Sequence, residues 1–163
     1  MEIRIKKGKG DVHALTCMRA DGTATWSKLK GRYGPAHDLA HYVVETSLGN
    51  FGGFYGLLMQ GHDITDFEER EDRTWIGTEG LYIECVVMGL QYIASGVDAP
   101  SAFNTMVEDA CKRQEIPSRI VFSAMHVATL VSRYQDKLYE WNALQPGQSM
   151  VLSFPDKALE VAF

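Results

Sequence analysis

Hydrophobic positions alternate along both ends of the chain and recur at helical spacing through its middle. Residues 2–7 put Ile3 and Ile5 on one side of a strand, residues 12–19 supply a second, and 23–29, with Trp26, a third. Asp21-Gly22 between the last two is a hairpin signal, so the chain opens as an antiparallel meander. Gly31, Gly34 and Pro35 mark a crossover into a helix that runs to Leu48, with Gly49 as its C-cap. The stretch 50–61 mixes glycines and aromatics too irregularly for a strand and reads as a turn into a short apolar helix. Asp66 to Arg73 is a charge run, expected as a solvated loop or helix end. Leu81, Ile83, Val86, Val87, Leu90 and Ile93 predict an apolar helix over 79–95. Phe103, Met106, Val107 and Ala110 predict another over 101–114, and a longer helix is expected from Pro117 to about Trp141. Met150, Leu152 and Phe154 alternate in a strand over 149–154; Leu159, Val161 and Phe163 predict a last strand over 158–163.

These elements imply an α+β fold, one domain over 1–163. An antiparallel sheet draws strands from both chain ends, and the central helices pack on one of its faces. The other face stays open, and a homodimer could form there.

The helix after Pro35 carries the densest chemistry, His37-Asp38-Leu39-Ala40-His41-Tyr42-Val43-Val44-Glu45. At ~100° per residue, Leu39, Ala40, Val43 and Val44 share the core side, and His37, Asp38, His41 and Glu45 cluster on the other. Helix residues four apart have Cβ atoms about 5–6 Å from one another, so His37 and His41 can reach one divalent ion. Glu45 is too far along the helix, ~12 Å from His37 at 1.5 Å rise per residue, to join both at one ion. A ligand from elsewhere is required. His62 is the first candidate, since the glycine-rich turn can fold it back. Glu84 is the second, because a buried carboxylate must find a cation, a donor or water. Asp38 and Glu45 are the candidate catalytic carboxylates, orienting an imidazole or acting as general base. Zinc or another divalent metal is the expected cofactor, and a hydrolase-like activity the expected function. The alternative is a non-enzymatic binding domain whose polar helix face contacts a small molecule or a protein.

His37-Asp38-x-x-His41 resembles, over these residues, the HExxH motif of metalloproteases, with Asp in the position of the base. It is similar also to the HDxxH zinc motif of a ubiquinone-biosynthesis accessory family. That family has a Glu well downstream, where this chain has glycine and aromatics. The His-Asp dipeptide resembles that of HD-domain phosphohydrolases, whose fold is all-helical. Over roughly the first 65 residues, the meander, HDLxHYxVE, the Phe-Tyr-Gly-Leu run and a second His-Asp-Ile together resemble a family of small bacterial proteins. That family has no assigned function, so this resemblance implies a bacterial cytoplasmic protein and no particular activity.

Composition narrows the classes. The net charge of −5 argues against nucleic acid or an anionic membrane as the main partner. Lys6, Lys7, Lys9, Lys28, Lys30 and Arg32 gather near the N-terminus and read as solvated strand faces and edge protection. Cys17, Cys85 and Cys111 are odd in number and lack CxxC spacing, which fits buried free thiols in a reducing compartment. The charged, strand-like N-terminus is unlike a signal peptide, and no apolar run is long enough to span a bilayer, so a cytoplasmic protein is expected. The glycines match no phosphate-binding loop, and no G-x-S-x-G elbow is present.

Overall fold

A computed structural model of the chain describes residues 1–31, 34–49, 51–69 and 74–155. Strands β1 (Glu2–Lys6), β2 (Val12–Met18), β3 (Ala24–Lys30) and β4 (Ser149–Ser153) form one antiparallel sheet in the order β3-β2-β1-β4. The first strand therefore lies between its sequence neighbour and a strand from the far end of the chain. Backbone bonds close this seam: the Met1 ammonium donates to the Phe154 carbonyl at 2.9 Å, and the Phe154 N–H donates to the Met1 carbonyl at 2.8 Å. Register turns the alternating pattern into rows across the sheet. Cys17, Ile3 and Leu152 are paired in one row, and Leu15, Ile5 and Met150 in the next. All six are buried. The intervening row of Trp26, Thr16, Arg4 and Val151 faces outward, with Trp26 61% exposed. The hairpin forms where expected: Asp21 Oδ1 accepts the Thr23 N–H at 2.9 Å, and Gly22 takes φ 86°.

Helices α1 (Gly34–Leu48), α2 (Phe54–Met59), α3 (Ile64–Glu69), α4 (Gly77–Ala94), α5 (Phe103–Arg113) and α6 (Ala124–Ala143) share one hydrophobic core with the inward face of the sheet. Helix α4 buries Tyr82, Ile83, Val86, Val87, Leu90 and Ile93, which leaves it little free surface. A helix that is apolar almost all round belongs in the interior, and α4 packs against α1, α5 and α6.

The helix expected from Pro117 begins instead at Ala124. Asn104 accounts for the delay. Its Oδ1 accepts the Phe122 N–H and its Nδ2 donates to the Phe122 carbonyl, both at 2.8 Å, so the preceding segment is held non-helical. Ser123 then caps α6 by accepting the His126 N–H at 3.2 Å. At the other end Lys7 Nζ donates to the carbonyls of Trp141 and Asn142, at 3.1 and 3.2 Å, where a cation complements the helix dipole. Part of the charge run is the helix α3, anchored by buried Ile64. Residues 70–73 and the strand expected over 158–163 lie outside the described residues. The three cysteines are free and buried. Among the described residues no helix is long and apolar enough to cross a membrane.

Within β4, Leu152 is buried and its neighbour Val151 is 52% exposed. Leu152→Ala should destabilise the protein by about 2–5 kcal/mol. Val151→Ala should stay within about 0.5 kcal/mol of the parent. Urea unfolding of the two variants checks this, and equal small losses would show that β4 is peripheral to the core.

Candidate metal centre

Most of the polar flank of α1 is withdrawn from water. Asp38, His41 and Glu45 are 7%, 2% and 1% exposed, because α2 and α4 close over that side of the helix. The side chains named from the sequence separate into three places.

Glu45 is the deepest. Its Oε1 accepts the Tyr55 N–H at 3.2 Å and its Oε2 accepts the Gly56 N–H at 2.9 Å, so the carboxylate caps the first turn of α2. A Cβ at Gly53 would lie 2.5 Å from the Glu45 carboxyl carbon. Glycine is required there because the carboxylate rests against the backbone itself. Gly53 and Gly56 thus serve close approach, to the Glu45 carboxylate and the Phe51 backbone, while Gly61 takes a turn at φ 109°.

His41 comes next, one turn back on α1. Its Nδ1 lies 3.1 Å from Glu45 Oε1, and its Nε2 lies 3.2 Å from Glu84 Oε1 and 3.2 Å from His37 Nε2. His37 stands at the mouth with a side chain 45% exposed. Its Nδ1 is 3.1 Å from Gln91 Oε1, and its Nε2 is 3.8 Å from Glu84 Oε2. Glu84 and Gln91 are seven residues apart on α4 and point to the same place. Behind them, Tyr134 on α6 donates to the Ala36 carbonyl at 3.2 Å and accepts from Gln91 Nε2 at 3.4 Å. That leaves Gln91 Oε1 as the acceptor for the His37 Nδ1–H.

The protons follow from this network. Burial would lower the His41 pKa, but hydrogen bonds to Glu45 and Glu84, with their charges, outweigh it and raise it to about 10. His37 is lowered, first by burial and then by the charge on His41, with Gln91 and Glu84 opposing. One imidazolium therefore lies between two carboxylates, and the neighbouring imidazole is neutral.

The nitrogens of His37 and His41 and a Glu84 oxygen lie within 4.8 Å of one another, and the group could hold a metal ion. The donor set is hard-to-borderline, two imidazoles and a carboxylate, as zinc and similar divalent ions accept. Tetrahedral bonds of ~2.0–2.2 Å separate ligand atoms by ~3.3–3.6 Å; the two Nε2 atoms are 3.2 Å apart, and they meet different oxygens of Glu84, His41 the Oε1 at 3.2 Å and His37 the Oε2 at 3.8 Å. Both imidazoles have their far nitrogen fixed by an acceptor, Glu45 for His41 and Gln91 for His37. This is the outer-shell arrangement that aims metal-binding histidines. The open side gives onto a cleft of about 310 Å³ whose lining includes Leu81, Cys85, Met88 and Gln114.

Two candidates fall elsewhere. His62 is not in the group: its ring lies tilted against Trp75 at 4.8 Å between centroids, its Nδ1 is 3.8 Å from Asp66, and its carbonyl accepts from Arg19. Arg19 also binds the Leu58 carbonyl at 2.6 Å, so the segment after α2 is tied to the sheet and not folded back over α1. Asp38 points into the core, where its charge acts on the Cys17 thiol and the Tyr55 hydroxyl, both buried. It is placed neither as a ligand nor as a base at the cleft. Gln91, Tyr134 and Gly53 were not expected in these roles, although Gln91 shares the polar stripe of Glu84 and that spacing was the available signal. Comparison with known families, curated proteins and solved structures finds no match for this chain.

A folded-state pKa near 10 for His41, against 6.5 for a free imidazole, fixes the sign of a pH effect. The stabilisation is fully present below pH 6.5 and is lost as pH rises through 10. The melting temperature of chelator-treated protein should fall across this window. Glu45→Gln, which removes one of the two carboxylates, should make the fall smaller. A parent melting temperature that is flat over the window would contradict the buried imidazolium.

Proposed function

We propose that the protein binds a divalent metal ion, zinc foremost, through His37 Nε2, His41 Nε2 and Glu84, and acts as a metal-dependent hydrolase. The observation that carries the reading is the pair of imidazoles whose Nδ1 atoms are both committed while their Nε2 atoms converge on one carboxylate. A divalent ion held there would supply Lewis acidity toward a carbonyl or phosphoryl oxygen.

The protein's own groups divide the remaining work. Glu45 orients His41 and keeps a negative charge behind it; buried and bonded on both oxygens, it cannot also serve the cleft as a base. Gln91 orients His37, and Tyr134 orients Gln91. Glu84 is the carboxylate among the described residues lining the cleft; with one oxygen on the ion, its other oxygen would take a proton from water there. Asp38 has no part in this chemistry. The alternative, α1 as a surface for a binding partner, would have only His37 of the flank to present, since Asp38, His41 and Glu45 are buried.

The test uses full-length protein without an affinity tag, stripped with a chelator and titrated with Zn²⁺. Near-stoichiometric binding is expected. Because the ion replaces the His41 Nε2 proton, binding at pH 7 should release protons, read as a buffer-dependent heat in calorimetry. His41→Ala should abolish binding, Glu45→Gln should weaken it by about 10–100-fold, and His62→Ala should leave it unchanged. Absence of binding in the folded parent, or loss of binding in His62→Ala alone, would overturn the assignment.

A further inference from the structure

Two hollows meet at Met88. The cleft in front of the centre, about 310 Å³, has Glu84, Cys85 and Met88 of α4 in its lining, together with Gln114 from the end of α5. The adjoining hollow, about 340 Å³, continues between α4 and α5, and its lining includes Met88, Tyr92, Asp109 and Arg113. Met88 is 52% exposed and one helical turn beyond Glu84, ~6 Å along the axis. A molecule held at the centre can therefore lie over Met88 and reach the second hollow.

Arg113 stands where the two hollows join. The thiols of Cys85 and Cys111 are hydrogen-bonded to one another, which holds the last turn of α5 beside the candidate ligand Glu84. Burial pushes the Cys85 thiol up to about 12, and the charge of Arg113, two residues beyond Cys111, pulls against it. The end of α5 is closed by Glu115 in the left-handed region, at φ 55°, a strained conformation for a residue with a side chain. The Glu115 N–H donates to the Lys112 carbonyl and the Ile116 N–H to the Cys111 carbonyl, both at 3.1 Å. This closure turns Gln114 to the first hollow and Arg113 to the second. Asp109 shares the second hollow, and its carboxylate is met by Lys112 at 3.7 Å. At the centre, two positive charges from a divalent ion balance Glu84 and Glu45, with both imidazoles neutral once they are ligands. The balanced centre leaves Arg113 to set the preference for a charged group beside it.

Resting on the metal reading above, we infer that the substrate is a small N-acyl amino acid, with its amide carbonyl at the His37–His41–Glu84 group, its apolar side chain against Met88 and Tyr92, and its free carboxylate on the Arg113 guanidinium. A guanidinium fork takes a carboxylate through two parallel N–H···O bonds. The carboxylate must lie close to the scissile bond, because Glu84 and Arg113 both border Cys85. In an N-acyl amino acid one carbon joins the carboxylate to the scissile nitrogen, which meets that requirement. In the reaction a water oxygen bonds to the amide carbonyl carbon and the carbon–nitrogen bond breaks. Both protons of the water end on the nitrogen, one of them carried by the free oxygen of Glu84. The products are a carboxylate from the acyl group and an amino acid with its ammonium and carboxylate charged.

The experiment uses the full chain with zinc content measured. It follows release of the α-amine from N-acetyl-methionine, N-acetyl-leucine and N-acetyl-phenylalanine, each beside its carboxamide, which lacks only the charge. Zinc-loaded protein should cleave at least one of the three acids, and the His41→Ala protein none. It should prefer that acid over its carboxamide by at least ~10-fold in kcat/KM, the worth of a charge-assisted pair. Arg113 is exposed, so Arg113→Gln can be made without disturbing the core. That variant should take up zinc as the parent does and lose most of the preference, chiefly through KM, while Arg113→Lys should keep part of it. Equal use of acid and carboxamide, a preference that survives Arg113→Gln, or no turnover of any acid by protein shown to hold zinc would each overturn the substrate assignment while leaving the metal centre standing. Protein that takes up no zinc would overturn both.

Discussion

A carboxylate withdrawn from water is costly unless its lone pairs are met, and the cost reaches several kcal/mol when they are not. Glu45, at 1% exposure, meets that demand with a backbone N–H from Tyr55, another from Gly56 and the Nδ1–H of His41. Much of the surrounding structure is arranged by this. The short helix α2 is docked end-on by its first turn, and Gly53 must lack a side chain. The His41 ring can take only the orientation that turns Nε2 away from Glu45 and toward Glu84. One carboxylate thus joins a helix cap, a loop and a candidate ligand.

The same economy is visible across the α1–α4 contact. Helix α4 is the apolar centre of the helical layer, yet two of its residues, Glu84 and Gln91, are polar and meet the two histidines of α1. Their stripe is where the layer opens to solvent. His41 is sealed on the inner side, while His37 and Glu84 are 45% and 41% exposed in their side chains at the outer. A centre built this way is rigid behind and accessible in front, the combination expected where a ligand must be bound and exchanged. The Tyr134–Gln91 pair extends that rigidity to α6, so three helices fix the position of two nitrogen atoms.

The sheet and most helices were legible because period-two and period-3.6 patterns report burial directly. The alternation of Ile3 with Ile5 and of Leu152 with Phe154 puts a strand from each half of the chain in one core. The delayed start of α6 was not legible: Pro117 is a good first helical residue, and nothing local reveals that Asn104, far back in the chain, ties Phe122 down. At the centre, spacing alone brought His37 and His41 together, and the cost of a buried carboxylate pointed to Glu84. Asp38 and His62 were misplaced for different reasons. On a helical wheel Asp38 lies at the border of the polar flank, and whether it turns toward the histidines or into the core depends on what packs there. His62 was put near α1 by chain proximity, but Arg19 holds that segment against the sheet. Both errors concern tertiary contacts made by residues distant in sequence.

The central claim is that His37, His41 and Glu84 surround one ion. Diffraction from crystals soaked in Zn²⁺, with data on both sides of the zinc absorption edge, tests it directly. A single strong anomalous peak is expected about 2.0–2.2 Å from both Nε2 atoms and from a Glu84 oxygen, with the Glu45–His41 hydrogen bond kept. A peak elsewhere, or none while His41 Nε2 still contacts Glu84, would contradict it.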